Sequence, residues 1–176
     1  MENKELKYLR SVFDYDSKAG LVFWKKRKGK TVGERRFNGS RAGKRAGCTC
    51  KKRGYRLVTV NRMGEKKTWL EHRLCFYIHH GWLPVNIDHI NRVKDDNRIK
   101  NLRGATASQN VMNSNARRDS LTKVKGVYPV KGGGYDVQIQ FKKKRYYLGH
   151  FKCIEDAKRV RKEKEKELFG EFSVYE

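Results

Sequence analysis

A strict alternation of apolar and polar side chains over residues 135–142 restricts the fold of this chain more than any other feature of its sequence. Side chains two residues apart lie on the same face of a β-strand, so this run predicts a strand with one apolar and one polar face. Tyr146 and Leu148 repeat the scheme and predict a second strand of a hairpin. Residues 154–169 place apolar side chains along one stripe of a helix, which can cover the apolar face of that sheet. The C-terminal part is therefore predicted to be a three-stranded antiparallel sheet with one helix.

The middle of the chain changes to helical spacing. Apolar side chains recur at steps of three and four over residues 68–80, which predicts a helix that Gly81 closes. Pro84 disfavours a restart of the helix and favours an extended segment that leads into Asp88. A second helix is predicted from about residue 106 to 115, because Thr106 and Gln109 have the spacing of a capping box.

Residues 6–60 contain short β-prone runs separated by turns rich in Gly, Lys and Arg, a pattern that predicts a small, loop-rich sheet. A chain of 176 residues is long enough for two or three small modules. We therefore expect an α+β protein built from small modules: a basic, β-rich segment at 1–62, a central domain at 63–120 and a C-terminal domain at 121–176.

Basic side chains outnumber acidic ones by 43 to 19, which gives a formal net charge of +24. A compact protein with this much like charge favours a polyanionic partner, and nucleic acid is the leading candidate. Residues 1–60 alone hold 18 basic and 5 acidic side chains, which predicts contacts to backbone phosphates. A membrane partner is less favoured, because the sequence shows neither a long apolar run nor a basic amphipathic helix with an aromatic face.

The four cysteines are too scattered for a disulfide framework, and no signal peptide precedes them. This favours a reducing compartment, so we expect the protein in the cytoplasm. Cys48 and Cys50 have no second Cys or His pair nearby, and a zinc site is not predicted there.

Residues 87–110 combine many polar side chains with almost no core-forming ones. Carboxylate and amide oxygens are the ligands that hard divalent cations such as Mg²⁺ and Mn²⁺ prefer. Asp88 is followed directly by His89, whose neutral imidazole can take a proton from water. This short segment thus supplies both a cation ligand and a base on one strand. Asp96 and Asn97 are predicted to shape a turn, with Arg98 on phosphate.

Several motifs in this region resemble the HNH endonuclease family, particularly its phage and intron-encoded branch. The matching motifs are HRL at 72–74, GWLP at 81–84, IDHIN at 87–91, DNR at 96–98, NLR at 101–103 and QN at 109–110. The resemblance implies a β-hairpin and a helix around one metal ion. It assigns Asp88 and Asn110 as metal ligands, His89 as general base and Asn101 as the residue that orients His89.

Many relatives have His where this chain has Asn110, and an amide ligand favours one Mg²⁺ or Mn²⁺ ion over zinc or nickel. Arg98 and Arg103 are expected to contact DNA. His72, on the first predicted helix, has two open roles: it is a packing histidine, or it contacts DNA or supports the site.

The C-terminal part resembles an AP2-type DNA-binding domain. The matching segments are KGV at 125–127, the strand at 135–141, YLGHF at 147–151, EDA at 155–157 and FGEF at 169–172. In that family the exposed face of the sheet enters the major groove. On this chain that face is expected to present Gln138, Gln140, Arg145 and Tyr147, while Lys143 and its neighbouring lysines hold phosphate.

Together the resemblances imply a homing-type endonuclease that prefers certain sites in double-stranded DNA. One active-site constellation implies one nick per bound monomer, so we expect a monomer or weak dimer. Two alternatives stay open at this point: a non-catalytic DNA-binding regulator, and an RNA-binding protein suggested by basic residues interleaved with Tyr and Phe.

Overall fold

The computed structural model describes residues 4–52, 54–62 and 64–173. By its packing the chain divides into two compact units, Met1–Gly104 and Ala105–Glu176, and each is described by itself. Both combine helices with small antiparallel sheets, which agrees with the α+β class predicted from the sequence. The three-part domain organisation stays a prediction. None of the helices in the described ranges is long and apolar enough to cross a membrane.

The described residues of the first unit form three helices and three small sheets. Its elements are α1 (Lys4–Val12), β1 (Phe13–Asp16), β2 (Leu21–Trp24), α2 (Val32–Ser40), β3 (Cys48–Thr49), β4 (Arg56–Arg62), β5 (Glu65–Leu70), α3 (Glu71–His80), β6 (Asn86–His89), a 3-10 turn (Ile99–Asn101) and β7 (Leu102–Ala105). The strands pair as β1-β2, β3-β4-β5 and β6-β7.

One apolar core runs through the first unit. It includes Leu9 of α1, Val22 of β2, Val58 of β4, Leu74 of α3 and Leu102 of β7. Because segments from both ends of the unit share this core, the N-terminal segment does more than carry positive charge: its packing supports the hairpin of β6 and β7.

Two helices in the N-terminal segment were not predicted from the sequence, which led us to expect a β-rich fold there. Helix α1 buries Leu6 and Leu9, one turn apart, against the core. Helix α2 begins with a capping box in which Thr31 accepts from the backbone of Glu34, and the Glu34 side chain accepts from the backbone of Thr31. The Thr-x-x-Glu spacing was a local signal for that second helix.

Helix α3 begins at Glu71, three residues later than the helical spacing predicts. Residues 68–70 belong instead to β5, where Thr68, Trp69 and Leu70 pair with Thr59, Val58 and Leu57 of β4. Backbone pairing with a neighbouring strand overrides the local helical pattern in these three residues. The helix ends as predicted, with Gly81 in the left-handed region at φ 80°.

The second unit contains α4 (Ala107–Met112), β8 (Val127–Pro129), β9 (Tyr135–Phe141), β10 (Lys144–Phe151), α5 (Ile154–Phe169) and a 3-10 turn (Gly170–Phe172). The strands form one antiparallel sheet in the order β10-β9-β8. Val137 and Ile139 of β9 are buried and pack in cores that include Ala157 and Phe169 of α5. The alternation and the helical stripe therefore predicted β9 and α5 with their observed bounds.

The capping box of α4 is also present as predicted: Thr106 accepts from the backbone of Gln109, whose side chain accepts from the backbone of Thr106. The helix is shorter than expected. It ends at Met112 rather than near residue 115, with Asn113 as its C-terminal cap.

Candidate active site

The hairpin of β6 and β7 places Asp88 and His89 at the end of β6, and both side chains are buried. The backbone N–H of Ile90 donates to the carbonyl of Asn101 at 2.9 Å. This bond joins the end of β6 to the start of β7, across the base of the intervening loop. Burying an acid and an imidazole side by side is unfavourable unless each has polar partners. The partners of these two residues therefore define the site.

Asn101 closes the loop between the two strands. Its Oδ1 accepts from the backbone N–H of Asn91 at 2.9 Å, and its Nδ2 donates to the backbone carbonyl of Asp96 at 2.8 Å. One buried amide thus joins the two ends of the loop. The sequence-based role of Asn101, orienting His89, stays a prediction.

His89 has a side-chain partner that the sequence analysis missed. Its Nε2 lies 3.2 Å from Oδ1 of Asn97, and Nδ2 of the same amide donates to Oε2 of Glu71 at 2.8 Å. Asn97 was expected only to shape a turn, yet it is buried between the histidine and the acid. Glu71 and Asn97 are 26 residues apart in sequence, so no local pattern signalled their contact.

Burial lowers the pKa of His89, while the hydrogen bond with Asn97 and the nearby carboxylate of Asp88 raise it. The net shift is downward, so the imidazole is neutral at neutral pH. A neutral imidazole has a nitrogen lone pair that can accept a proton from water.

His72 packs against His89. The two ring centroids lie 5.0 Å apart, edge to face, and Tyr55 lies 5.2 Å from His72. Burial, with smaller contributions from His89 and Arg73, lowers the pKa of His72 to about 3. His72 is therefore neutral and packs directly against His89.

Both arginines expected on DNA engage carboxylates in this structure. Arg103 donates to Oδ2 of Asp88 from Nε at 2.9 Å and lies 2.8 Å from the same oxygen through its terminal nitrogen. Arg98 donates from Nε to Oδ1 of Asp96 at 2.7 Å, and this bond is the main reason that the pKa of Asp96 falls to about 2. Contact of either arginine with phosphate stays a prediction.

Asn110 is exposed on α4, in the second unit. The carbonyl end of this helix is held by Lys125, whose Nζ donates to the backbone oxygens of Met112 at 3.1 Å and Ser114 at 3.3 Å. Burial lowers the pKa of Lys125 to about 8. The sequence did not predict this contact between Lys125 and the end of α4, because Lys125 lies in a stretch with several other basic residues.

Within the described ranges, no group of three or more His, Cys, Asp or Glu side chains is arranged to hold a metal ion. A structural zinc site, with its four Cys or His ligands, is therefore not present among these residues. One carboxylate and one amide oxygen instead suit Mg²⁺, which keeps several waters and takes only one or two protein carboxylates together with substrate phosphates. The pairing of Asp88 with Asn110 about one ion stays a prediction.

A second polar surface lies on the β9–β10 hairpin in the second unit. Gln140 pairs across the strands with Arg145, and Gln138 pairs with Tyr147. A pocket of about 340 Å³ is lined by Gln138, Gln140, Arg145, Ile139 and Tyr128. Tyr128 was not predicted: it stands on β8, and only the pairing of β8 with β9 brings it to this surface.

The tip of that hairpin has an unusual backbone. Lys142 and Lys143 connect β9 to β10, and both have positive φ, 48° and 66°. Two-residue hairpins of this type favour Asn-Gly, because side chains with a Cβ are strained in the left-handed region. Two exposed lysines therefore occupy turn positions at which Asn and Gly would be less strained.

Comparison with known proteins identifies the central region. A model of the HNH endonuclease family matches residues 70–112, which include Asp88, His89, Asn101 and Asn110. The match confirms the predicted HNH endonuclease domain in this region.

Comparison with solved structures finds similarity to the HNH homing endonuclease I-HmuI, in a structure titled "DNA binding and cleavage by the HNH homing endonuclease I-HmuI". The sequence identity is 27%, the TM-score is 0.43, and the match covers 63% of this chain and 56% of that chain. The matched region thus spans a little over half the length of that structure. A comparison with curated proteins finds no match.

Proposed function

We propose that this chain, whose residues 70–112 form an HNH endonuclease domain, is a homing-type endonuclease that hydrolyses phosphodiester bonds at preferred sites in double-stranded DNA. The observation that carries the proposal is the buried, neutral His89 beside Asp88 within the matched region. A chain with net charge +24 has the electrostatics that a DNA substrate requires.

His89 acts as the general base and takes a proton from the water that attacks the scissile phosphorus. Asn101 holds the loop that positions His89, and Asp88 and Asn110 are the ligands of one Mg²⁺ or Mn²⁺ ion. When bound, such an ion supplies Lewis-acid stabilisation of the phosphate charge and of the leaving 3′ oxygen. Arg98 and Arg103 contribute positive charge close to the backbone of the DNA.

The C-terminal unit serves as an AP2-like module that reads DNA. Gln138, Gln140, Arg145 and Tyr147 lie on the face of the sheet that α5 leaves open, where Gln suits adenine edges and Arg suits guanine edges. Lys143, at the strained hairpin tip, holds phosphate without reading bases. The basic N-terminal residues add contacts to the backbone of the same duplex.

Supercoiled plasmid provides the direct test. Incubation of the purified full chain with Mg²⁺ or Mn²⁺ is expected to yield nicked circles first, because one monomer carries one set of catalytic residues, and chelator is expected to stop the reaction. His89→Ala is expected to lower the rate about 10²- to 10⁴-fold, the usual contribution of a general base, while DNA affinity stays close to that of the parent.

Two results would contradict the proposal. Plasmid that is retarded in a gel but never cut, with metal present, indicates a DNA-binding regulator. Preferential binding of single-stranded RNA, again without cleavage, indicates an RNA-binding protein.

A further inference from the structure

A buried chain of hydrogen bonds leads away from His89 into the body of the first unit. Nε2 of His89 lies 3.2 Å from Oδ1 of Asn97, whose Nδ2 donates to Oε2 of Glu71 at 2.8 Å. Glu71 is completely buried and Asn97 almost so. Burying a carboxylate here, in the first turn of α3, requires compensation that packing alone does not supply.

Cationic groups converge on the Glu71 carboxylate. Nε of Arg56 lies 2.9 Å from Oε2, and a terminal nitrogen of Arg45 lies 3.7 Å from the same oxygen. Both arginines come from the basic N-terminal segment. Burial raises the pKa of Glu71, while Arg56, Arg45 and the hydrogen bond from Asn97 lower it. Both guanidinium groups lie on the side of Oε2, so this oxygen is a hydrogen-bond acceptor.

The acceptor oxygen Oε2 of Glu71 sets the orientation of the Asn97 amide. An acceptor at Oε2 must face the NH₂ group of Asn97, which leaves the carbonyl oxygen of that amide directed at His89. A carbonyl oxygen also only accepts, so Nε2 of a neutral His89 must carry the ring proton. The lone pair of the ring then resides on Nδ1.

Asn97 is held in place from its backbone side as well. The hydroxyl of Tyr15 donates to the backbone carbonyl of Asn97 at 2.7 Å, and the N–H of Ile99 donates to the carbonyl of Ser17 at 3.0 Å. Strand β1 and the turn that follows it therefore hold the backbone of the segment that presents the Asn97 side chain.

From these contacts we propose that Glu71 and Asn97 are positioning residues that select the tautomer of His89, protonated at Nε2, so that Nδ1 takes the proton from water. Neither residue touches substrate; both act through the orientation of the imidazole. The consequence for cleavage rests on the proposed nuclease function, whereas the tautomer is a property of the protein alone. Residues that orient a catalytic or ligating histidine in this way typically contribute about 10- to 100-fold to activity.

The experiment measures the tautomer directly. The full chain, labelled with ¹⁵N in its histidine rings, is examined by long-range proton–nitrogen correlation at neutral to mildly alkaline pH. His89 is assigned by the loss of its signals in His89→Gln. We expect a ring proton on Nε2 that exchanges slowly with solvent, because its hydrogen bond to Asn97 is buried.

Four variants separate orientation from general loosening of the fold. Asn97→Leu removes the amide, and Glu71→Met removes the acceptor that orients it; both are expected to lose the protected Nε2 proton and to populate the other tautomer. Glu71→Gln can keep an acceptor oxygen at the position of Oε2 and is expected to retain the proton. Tyr15→Phe loosens the backbone at Asn97 without changing its amide partners, and it is expected to retain the proton as well.

Cleavage measured under single-turnover conditions is expected to fall about 10- to 100-fold in Asn97→Leu and Glu71→Met, with the Kd for DNA unchanged. A wild-type ring protonated at Nδ1 would overturn the inference. So would an Nε2 proton with undiminished protection in folded Asn97→Leu. If that variant does not fold, the Glu71→Met and Glu71→Gln pair decides, because both keep Asn97.

The two proposals fail separately. A tautomer that follows the variants as expected, in a wild-type protein that cuts no DNA under any metal condition, supports the hydrogen-bond assignment and overturns the nuclease function. Cleavage that requires His89 but is indifferent to Glu71 and Asn97 does the reverse.

Discussion

Polar residues lie in opposite environments in the two units: buried in the first and exposed in the second. Around His89 they are buried and bonded to one another, as in the chain from Glu71 through Asn97. On the β9–β10 hairpin they stand largely exposed: Tyr147 keeps 62% of its surface and Tyr128 keeps 53%. A buried polar group left without its partner is strongly unfavourable, whereas an exposed one simply returns to water. Changes near the first site should therefore propagate, and changes on the hairpin should stay local.

The largest effect on stability at neutral pH is expected where the backbone of the first unit is tightest. A Cβ at Gly20 would lie 2.3 Å from the backbone N of Arg98, and Gly20 has φ of 73°. Gly20→Ala must then push back the segment that carries Asn97, and we expect a loss of about 2 to 4 kcal/mol of unfolding free energy. Urea denaturation of the full chain measures it.

Gly43→Ala is the matched control, because Gly43 has nearly the same φ of 74° and no heavy atom within 4 Å of the added Cβ. It carries backbone strain alone, about 1 kcal/mol. Equal denaturation midpoints for the two variants would show that the close approach to Arg98 has no energetic weight.

A smaller and different effect is expected on the exposed face. Arg145→Ala should remove about 1 to 3 kcal/mol of discrimination between DNA sequences, because the proposed bidentate contact to guanine is lost, while the stability of the protein hardly changes. Binding to a panel of duplexes that vary one base pair at a time measures the change.

Arg145→Lys keeps the positive charge but not the planar pair of donors. It should recover affinity and salt dependence without recovering the base preference. If both variants kept the base preference of the parent, Arg145 would not be a residue that reads the DNA sequence.

The buried His72 should make the stability of the first unit sensitive to acid. The pKa of His72 is about 3 in the folded protein and about 6.5 when unfolded, so folding favours the neutral form. Its contribution to stability is fully present above about pH 6.5 and is lost as the pH falls toward 3. Within that window the loss is up to about 1.4 kcal/mol per pH unit.

His72→Gln removes this titration. Comparison of denaturation midpoints at several pH values should show a flatter acid limb for the variant than for the parent, whatever the difference in absolute stability. Parallel limbs would mean that folding does not lower the pKa of His72.

The smallest effect, and the only stabilising one, is expected at the hairpin tip. Lys142→Asn combined with Lys143→Gly relieves the strain of two positive φ values and should add about 1 kcal/mol of stability. The same change removes two cations and should reduce the salt dependence of DNA binding.

Lys142→Gln with Lys143→Gln removes the charge but keeps the strain, so it should weaken binding without stabilising the fold. If the Asn-Gly turn binds DNA with the parent's salt dependence, the tip does not touch phosphate.

Several parts of the molecule were predictable because their signals are local. The alternation over 135–141 and the apolar stripe over 154–169 predicted β9 and α5, and the Thr106–Gln109 spacing predicted the start of α4. The adjacent Asp88 and His89 were recognisable as a motif, and the family match covers them. Strand periodicity, helical periodicity and capping all act between residues a few positions apart, so the sequence displays them directly.

Only the tertiary structure decided which distant residues meet. Pairing of β5 with β4 moved the start of α3 to Glu71, and packing of α3 against the hairpin then brought Glu71 to Asn97 and His72 to His89. A polar residue in a sequence carries no mark of whether it will be exposed or buried beside a partner. That outcome depends on how separate segments share one core, and this is why the motif was visible in advance while its buried partners Glu71 and Asn97 were not.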